Sequence, residues 1–416
     1  MPISPTRGAE LRDFAETLLS FRTTAGREHV AREWLVDRLA ALGFETCEWS
    51  ADAETLATHP SFPDDPAAID VEGRPSVAGV VEFGDPDAGR TLVLNGHFDV
   101  VPAEEASWSS PPFEPTWDGD DLVARGAADM KCGLAAAVFA ARHLADQDPD
   151  LDGRVVVECV AGEEDGGIGA AAATLSNPYP FDRDAAIVAE PTQLRPVVAT
   201  AGSLMMRLRL AGRSAHAATR WRGESVLPHF ERIRAGFADL ERERTERTDH
   251  PLYEEYPVPW PVNVGTVRAG SWASSVPAAL EAEVRIGIGL DETADDVEAI
   301  FRDRLDDVVA DSEWLREHPP EFERFSVQFE PAETDLDEPV VTAVRDVLAD
   351  HDRDDSPRGA TYGADSRHFV AAGIPTVLFG PGTVEEAHYP DERIHWPDVE
   401  EAASLLADAA ETYLRE

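Results

Sequence analysis

Lysine is nearly absent from this 416-residue chain. Lys131 is the only one among 36 basic residues, which face 81 acidic residues for a formal net charge of −45. That deficit of positive charge argues against nucleic acid and anionic membranes as main partners, since both bind through clustered cations. Cysteine is scarce too: Cys47, Cys132 and Cys159 are odd in number and lack paired metal-type spacing. Neither a disulfide framework nor a cysteine-built zinc site is expected, and the three read as small buried apolar residues. No apolar run approaches the roughly 20 residues of a membrane-spanning helix. The start, MPISPTRGAE, has neither the charged beginning nor the apolar stretch of a secretory signal. A soluble, cytoplasmic protein is the expectation.

What is present suits a globular protein. Hydrophobic residues make up 43% of the chain, enough for substantial cores, and the length favours two domains or one large domain with an insertion. The dense, lysine-poor acidity resembles that of a halophilic organism's protein, in which salt screens the self-repulsion of the compact state. It speaks to habitat rather than to chemistry.

Two amphipathic helices open the chain, the first with Leu11, Phe14 and Leu18 on its face, the second with Val30, Trp34, Leu35 and Leu42 before a stop at Gly43. Short β-branched runs follow at 77–83, 91–95, 154–161, 185–190 and 376–380, with a long helix after Lys131 and a last helix from Pro397. This alternation predicts an α/β fold with a mostly parallel sheet. Residues 201–331 read differently, as β-α-β-β-α-β with a last strand near Phe325–Glu330, the order of a ferredoxin-like unit. The expected organisation is a catalytic domain over 1–200 and 332–416, interrupted by that unit at 201–331. The Pro- and acid-rich segment 59–75 reads as a surface loop.

The chemistry-bearing residues stand where strands end. TLVLN runs into GHFDVVP, so His97 and Asp99 point to the same side of an extended chain. An imidazole that binds metal through one nitrogen needs a partner for the other, and Asp99 could provide it. Asp129, in ARGAADMKCG, could cap the helix behind it or reach a site. RVVVECVA ends in GEEDGG, where Glu163 and Glu164 repel each other unless a cation offsets them. AAIVAEPT puts Glu190 at another strand end, and EEAHYPDER puts His388 beyond TVLFG. Singly, each also reads as an ordinary surface or capping residue. Together they offer five potential N and O ligands at the strand ends of one α/β pattern, where the ligand crevice of an open parallel sheet lies. Five such ligands can hold two divalent ions if one carboxylate bridges. The mixed set suits zinc, with cobalt or manganese as substitutes.

These motifs, with SAHAA, resemble the metallopeptidase family of acetylornithine deacetylase, succinyl-diaminopimelate desuccinylase, aminoacylase and glutamate carboxypeptidase over nearly the whole chain. The resemblance implies a two-metal catalytic domain and a smaller lid domain through which the protein forms a homodimer. It implies that His97 and Glu190 hold one metal, Glu164 and His388 the other, and that Asp129 bridges them. Glu163 becomes the general base and Asp99 orients His97. His216 would reach the partner's active site, while Arg367 in YGADSRHF and Asn263 in VNVGTVRAG would bind substrate. It also implies a cis Asp129–Met130 peptide. Two departures stand out: Cys132 where the family usually has Gly, and WRGES after SAHAATR.

The expected activity is hydrolysis of an amide in an N-acyl amino acid or related N-acyl amine, a small substrate with a free carboxylate. A dipeptidase or carboxypeptidase, an aminoacylase or a deformylase is the alternative within the class. A metal-free binding protein on the same fold is the alternative outside it, and the intact ligand and base positions argue against that.

Overall fold

The computed structural model describes residues 4–415. Helix Pro5–Ser20 begins where the Ser4 hydroxyl accepts the Arg7 N–H and Pro5 occupies the first turn. It buries Leu11, Phe14, Ala15, Leu18 and Leu19. In the second helix, His29–Ala41, the buried stripe is Ala31, Leu35 and Leu39, while Val30 is exposed. Of the expected face, Leu35 and Leu42 are buried and Trp34 packs against the core, so Val30 alone departs from it.

The main sheet runs Glu45–Trp49, Ser76–Phe83, Gly153–Val160, Arg90–His97, Ala185–Val188, Thr376–Leu378, Val197–Thr200 and Ala332–Glu333, with Arg358–Ala360 also on Val197–Thr200. Its middle four strands, 153–160, 90–97, 185–188 and 376–378, are mutually parallel. The flanking pairs are antiparallel, apart from Arg358–Ala360 on Val197–Thr200. The architecture is thus α/β with a largely parallel centre. The parallel strands are buried along their length, which is why they read as continuous apolar runs rather than alternations.

Helix Cys132–Asp146 is alanine-rich and buried on nearly every side, under the terminal helix Trp396–Arg415. Its start presses on the main sheet: a Cβ on Gly133 would lie 2.1 Å from the Ala189 carbonyl oxygen. Only glycine lets the Asp129 turn approach the strand end that carries Glu190. Cys132, the departure noted above, is fully buried in the core. Lys131 is fully buried as well, donating to the main-chain oxygens of Leu18 and Phe21. Burial pushes its ammonium down to about 7, against the attraction of Asp99 and Glu392.

The second sheet has the order Val262–Ala269, Ala279–Ile288, Gly202–Ala211, Glu321–Arg324, all antiparallel. This is the ferredoxin-like arrangement. Leu204, Met206, Leu208 and Leu210 alternate onto its inner face against helices Leu227–Arg247 and Ala294–Ala310. Thr293 and Asp296 form a capping box at the start of the second helix.

Two expectations need correction. The last strand of this unit is Glu321–Arg324, not Phe325–Glu330. Ser326 takes φ +60 and breaks the ladder, and the Gln328 side chain accepts the Met205 N–H at 2.9 Å in place of a backbone carbonyl. Segment 59–75 is not a plain surface loop either. Phe62 and Ile69 are buried in a small core with Leu56, Ile168 and Ala171, so it packs on the turn that follows Glu163 and Glu164.

Candidate metal centre

Parallel strands deliver their C-terminal ends to one side, and that is how residues far apart in sequence meet here. His97 ends strand Arg90–His97, Glu163 and Glu164 follow Gly153–Val160, and Glu190 follows Ala185–Val188. Asp129 stands in the tight turn before helix Cys132–Asp146, with a cis peptide to Met130. His388, at φ +61, lies in the loop after Thr376–Leu378.

His97, Asp129 and Glu164 each offer a ligand atom, all within 4.8 Å of one another. His97 Nε2 is 3.0 Å from one Asp129 oxygen, and His388 Nε2 is 3.6 Å from the other. His388 Nε2 is also 3.0 Å from Glu164 Oε1. Asp129 thus touches both imidazoles and does not cap the helix. Glu190 lines the same cleft, as does Glu163.

The second nitrogen of His97 is held differently than expected. Its Nδ1–H donates to the main-chain oxygen of Asp99 at 3.0 Å, while the carboxylate lies 3.7 Å away. The Asp99 carboxylate accepts the N–H groups of Gly162, Glu163 and Glu164 at 2.7, 3.2 and 3.2 Å. Asp99 therefore shapes the turn that presents both glutamates, while its main-chain oxygen takes the hydrogen bond from His97 and its carboxylate acts on the ring by charge alone. Sequence alternation predicted the right side of the chain but the wrong acceptor.

The charges explain what such a site accepts. Burial raises Glu163 and Glu190 well above the usual carboxyl range; Asp365, Glu164 and, for Glu190, Asp129 add to this, while His97 opposes it. Burial raises Glu164 too, although the hydrogen bond from His388 opposes it. Burial acts to raise Asp129, but the His97 bond and the charges of His97, His388 and Arg125 hold it below the usual value. On His97 burial pulls downward, and its acidic neighbours outweigh that and raise it well above an ordinary imidazole. Among the described residues, neither the Glu163 nor the Glu190 carboxylate takes a hydrogen bond from the protein. Several crowded carboxylates and two imidazoles, short of compensating cations, form a donor set that fits divalent metal of the zinc type.

The cleft, about 500 Å³, lies between the two sheets. Asp129, Glu163, Glu164, Glu190, Tyr362 and His388 face it from one side, and Ser203, Pro261, Arg285 and Phe329 from the other. Arg367 is not among its lining residues. It is buried behind the site, donating to the main-chain oxygens of Ala364 and Gly166 with its guanidinium over the Phe329 ring. The cation in the cleft is Arg285, which the sequence reading missed. Burial lowers its pKa, and among the described residues no carboxylate lies within ion-pair distance of it. Alternation in strand Ala279–Ile288 marks Arg285 as facing away from the unit's core, but only assembly of the two sheets puts a cleft there. Asn263 is exposed and pairs across the ladder with Arg285, outside the cleft lining. His216 is exposed at the other end of the smaller sheet, where it bridges to Ser275.

Residues 93–412 match the family described as Peptidase family M20/M25/M40. The chain is 26% identical over 428 residues to an N-formyl-4-amino-5-aminomethyl-2-methylpyrimidine deformylase of Bacillus subtilis (strain 168), covering 96% of this chain and 93% of that protein. It is 27% identical over 332 residues to an acetylornithine deacetylase of Proteus mirabilis, covering 77% and 79%. Among solved structures, a dinuclear metal-binding M20 peptidase of Bacillus subtilis superposes with a TM-score of 0.65 at 15% identity, covering 99% of each chain. No helix among the described residues is long and apolar enough to cross a membrane.

Proposed function

Because the chain belongs to peptidase family M20/M25/M40 and is a metal-dependent hydrolase, we propose that it releases the acyl group from a small N-acyl amine bearing a free carboxylate. The observation that carries this reading is the meeting of His97, Asp129 and Glu164 within 4.8 Å, with His388 on the latter two and, across the cleft, Arg285, whose guanidinium has a main-chain acceptor at Thr361 but no carboxylate among the described residues. In this reading His97 and Glu190 would hold one ion and Glu164 and His388 the other, with Asp129 available to both. Such a pair, when bound, polarises the scissile carbonyl and lowers the pKa of water.

The chain's own groups do the rest. Glu163, whose carboxylate takes no hydrogen bond from the described residues, takes the proton of the attacking water and returns it to the departing amine nitrogen. Arg285 holds the substrate carboxylate, and Tyr362 and Phe329 wall the cleft. Segments 1–200 and 332–416 form the catalytic part and 201–331 the lid.

The lid also supports a homodimer. Strand Gly202–Ala211 starts at the cleft, where Ser203 lines it, and His216 follows its other end. At roughly 3.3 Å per residue that strand spans about 30 Å, so His216 is far from its own chain's site. Beside it stand Trp221 and Trp272, exposed by 76% and 72%, a cost in water that a partner surface relieves. Val262–Ala269 is an edge strand, open to pairing across a two-fold axis.

Protein purified without chelator is expected to carry about two divalent ions per chain. A screen of N-formyl, N-acetyl and N-succinyl amines and dipeptides in molar salt should then find hydrolysis. Metal-free protein that hydrolyses amides, or metal-loaded protein inert to every substrate, sinks the reading.

Arg285→Gln is expected to raise KM by about 10- to 100-fold for substrates with a carboxylate, with kcat little changed, because a charge-assisted contact to the ground state is lost. Arg367→Lys tests the contrast. It should lower thermal stability more than it raises KM.

A further inference from the structure

The Asp129 turn has to place one carboxylate against two imidazoles that come from opposite ends of the chain. A turn of this kind, rich in Gly and Ala, has few side chains of its own to hold it. Glu392 lies four residues beyond His388 and is fully buried. One of its oxygens accepts the N–H groups of Ala128 and Asp129 at 2.8 and 3.0 Å. The other accepts the Gly126 N–H at 3.0 Å and an N–H of the Arg125 guanidinium. All four donors belong to residues 125–129, so the acceptor capacity of one carboxylate is spent on a single turn. The Glu392 main-chain oxygen also takes the Ala124 N–H at 3.1 Å. Just beyond, Arg393–His395 pairs with Asp121–Val123.

We propose that Glu392 is a positioning residue for the metal centre: its carboxylate fixes the backbone of the Asp129 turn and couples that turn to the loop bearing His388. The inference rests on the reading of Asp129 as a metal ligand. A buried carboxylate that merely filled space would not need four donors from one turn, and charge-assisted bonds to backbone N–H groups are among the strongest a protein makes. Because Asp129 contacts both His97 and His388, a displacement of its backbone disturbs both halves of the donor set. Outer partners of this kind typically matter 10- to 100-fold for metal affinity.

Glu392→Gln is nearly isosteric, but its amide group turns two hydrogens toward two donors. Metal affinity, titrated with Zn2+ or Co2+ into metal-free full-length protein in molar salt, is expected to fall about 10- to 100-fold. The visible spectrum of the Co2+ form should change with it. The control is Glu158→Gln. Glu158 is an equally buried carboxylate that accepts from Tyr179 and Arg183, away from the turn. It should lose thermal stability while keeping the wild-type metal affinity and spectrum.

Equal metal binding by Glu392→Gln and wild type overturns the inference while leaving the metal reading intact. A wild type that binds no metal overturns the reading instead. If Glu392→Gln does not fold, or wild type binds no metal, hydrogen exchange of the metal-free wild-type protein decides. The amides of Gly126, Ala128 and Asp129 should be protected like core strands, and exchange at loop rates refutes the clamp.

Discussion

Glu163→Gln is expected to lose about 100- to 10,000-fold in turnover while keeping its metal and its fold, the range proton transfer by a positioned side chain contributes. Glu163 lines the cleft beside Glu164 and Glu190. Unlike Glu164, its carboxylate makes no contact with His388, which is why it is assigned to the proton and its neighbour to metal. The amide of Gln occupies the same volume and donates no usable base, so substrate should still bind. The Glu163 N–H is held by Asp99, an interaction the substitution does not touch. Single-turnover kinetics and elemental analysis on the same sample check this. Lost metal with retained turnover would show that the two glutamates have been assigned the wrong way round.

The second large effect is complementation between two inactive variants. His216→Ala and Glu163→Gln, each nearly inactive alone, should recover about a quarter of wild-type activity per chain after joint dissociation and reassembly, by two-fold pairing statistics. His216 sits past the end of a strand about 30 Å long whose beginning is at the cleft, so it cannot serve its own site. In a closed dimer it would stand at the partner's cleft, where an imidazole stabilises a developing oxyanion. A mixed dimer then has one site with both groups intact. No recovery, or a monomer in solution at molar salt, removes the in-trans role.

Much of the site was legible because its residue types sit at strand ends, and parallel strands deliver those ends to one place. His97, Glu163, Glu164 and Glu190 all follow apolar runs that the structure shows as parallel neighbours. His388 and Asp129 were harder, since each stands in a loop whose path no periodicity describes. Arg367 was nominated by the resemblance alone, and nothing local in the sequence tells that two main-chain carbonyls hold it in the core.

Sequence alone determined the class of the protein. The alternation of strands and helices, the ferredoxin-like order of 201–331 and the set of imidazoles and carboxylates are local patterns, and local patterns are written in neighbouring residues. Tertiary structure decided which group each of those residues serves. Asp99 meets a turn more than sixty positions away, Glu392 meets one more than two hundred and sixty away, and Arg285 faces a cleft that exists only where two sheets meet. A hydrogen bond is satisfied by whatever donor the fold brings within about 3 Å, and that choice depends on the packing of the whole chain.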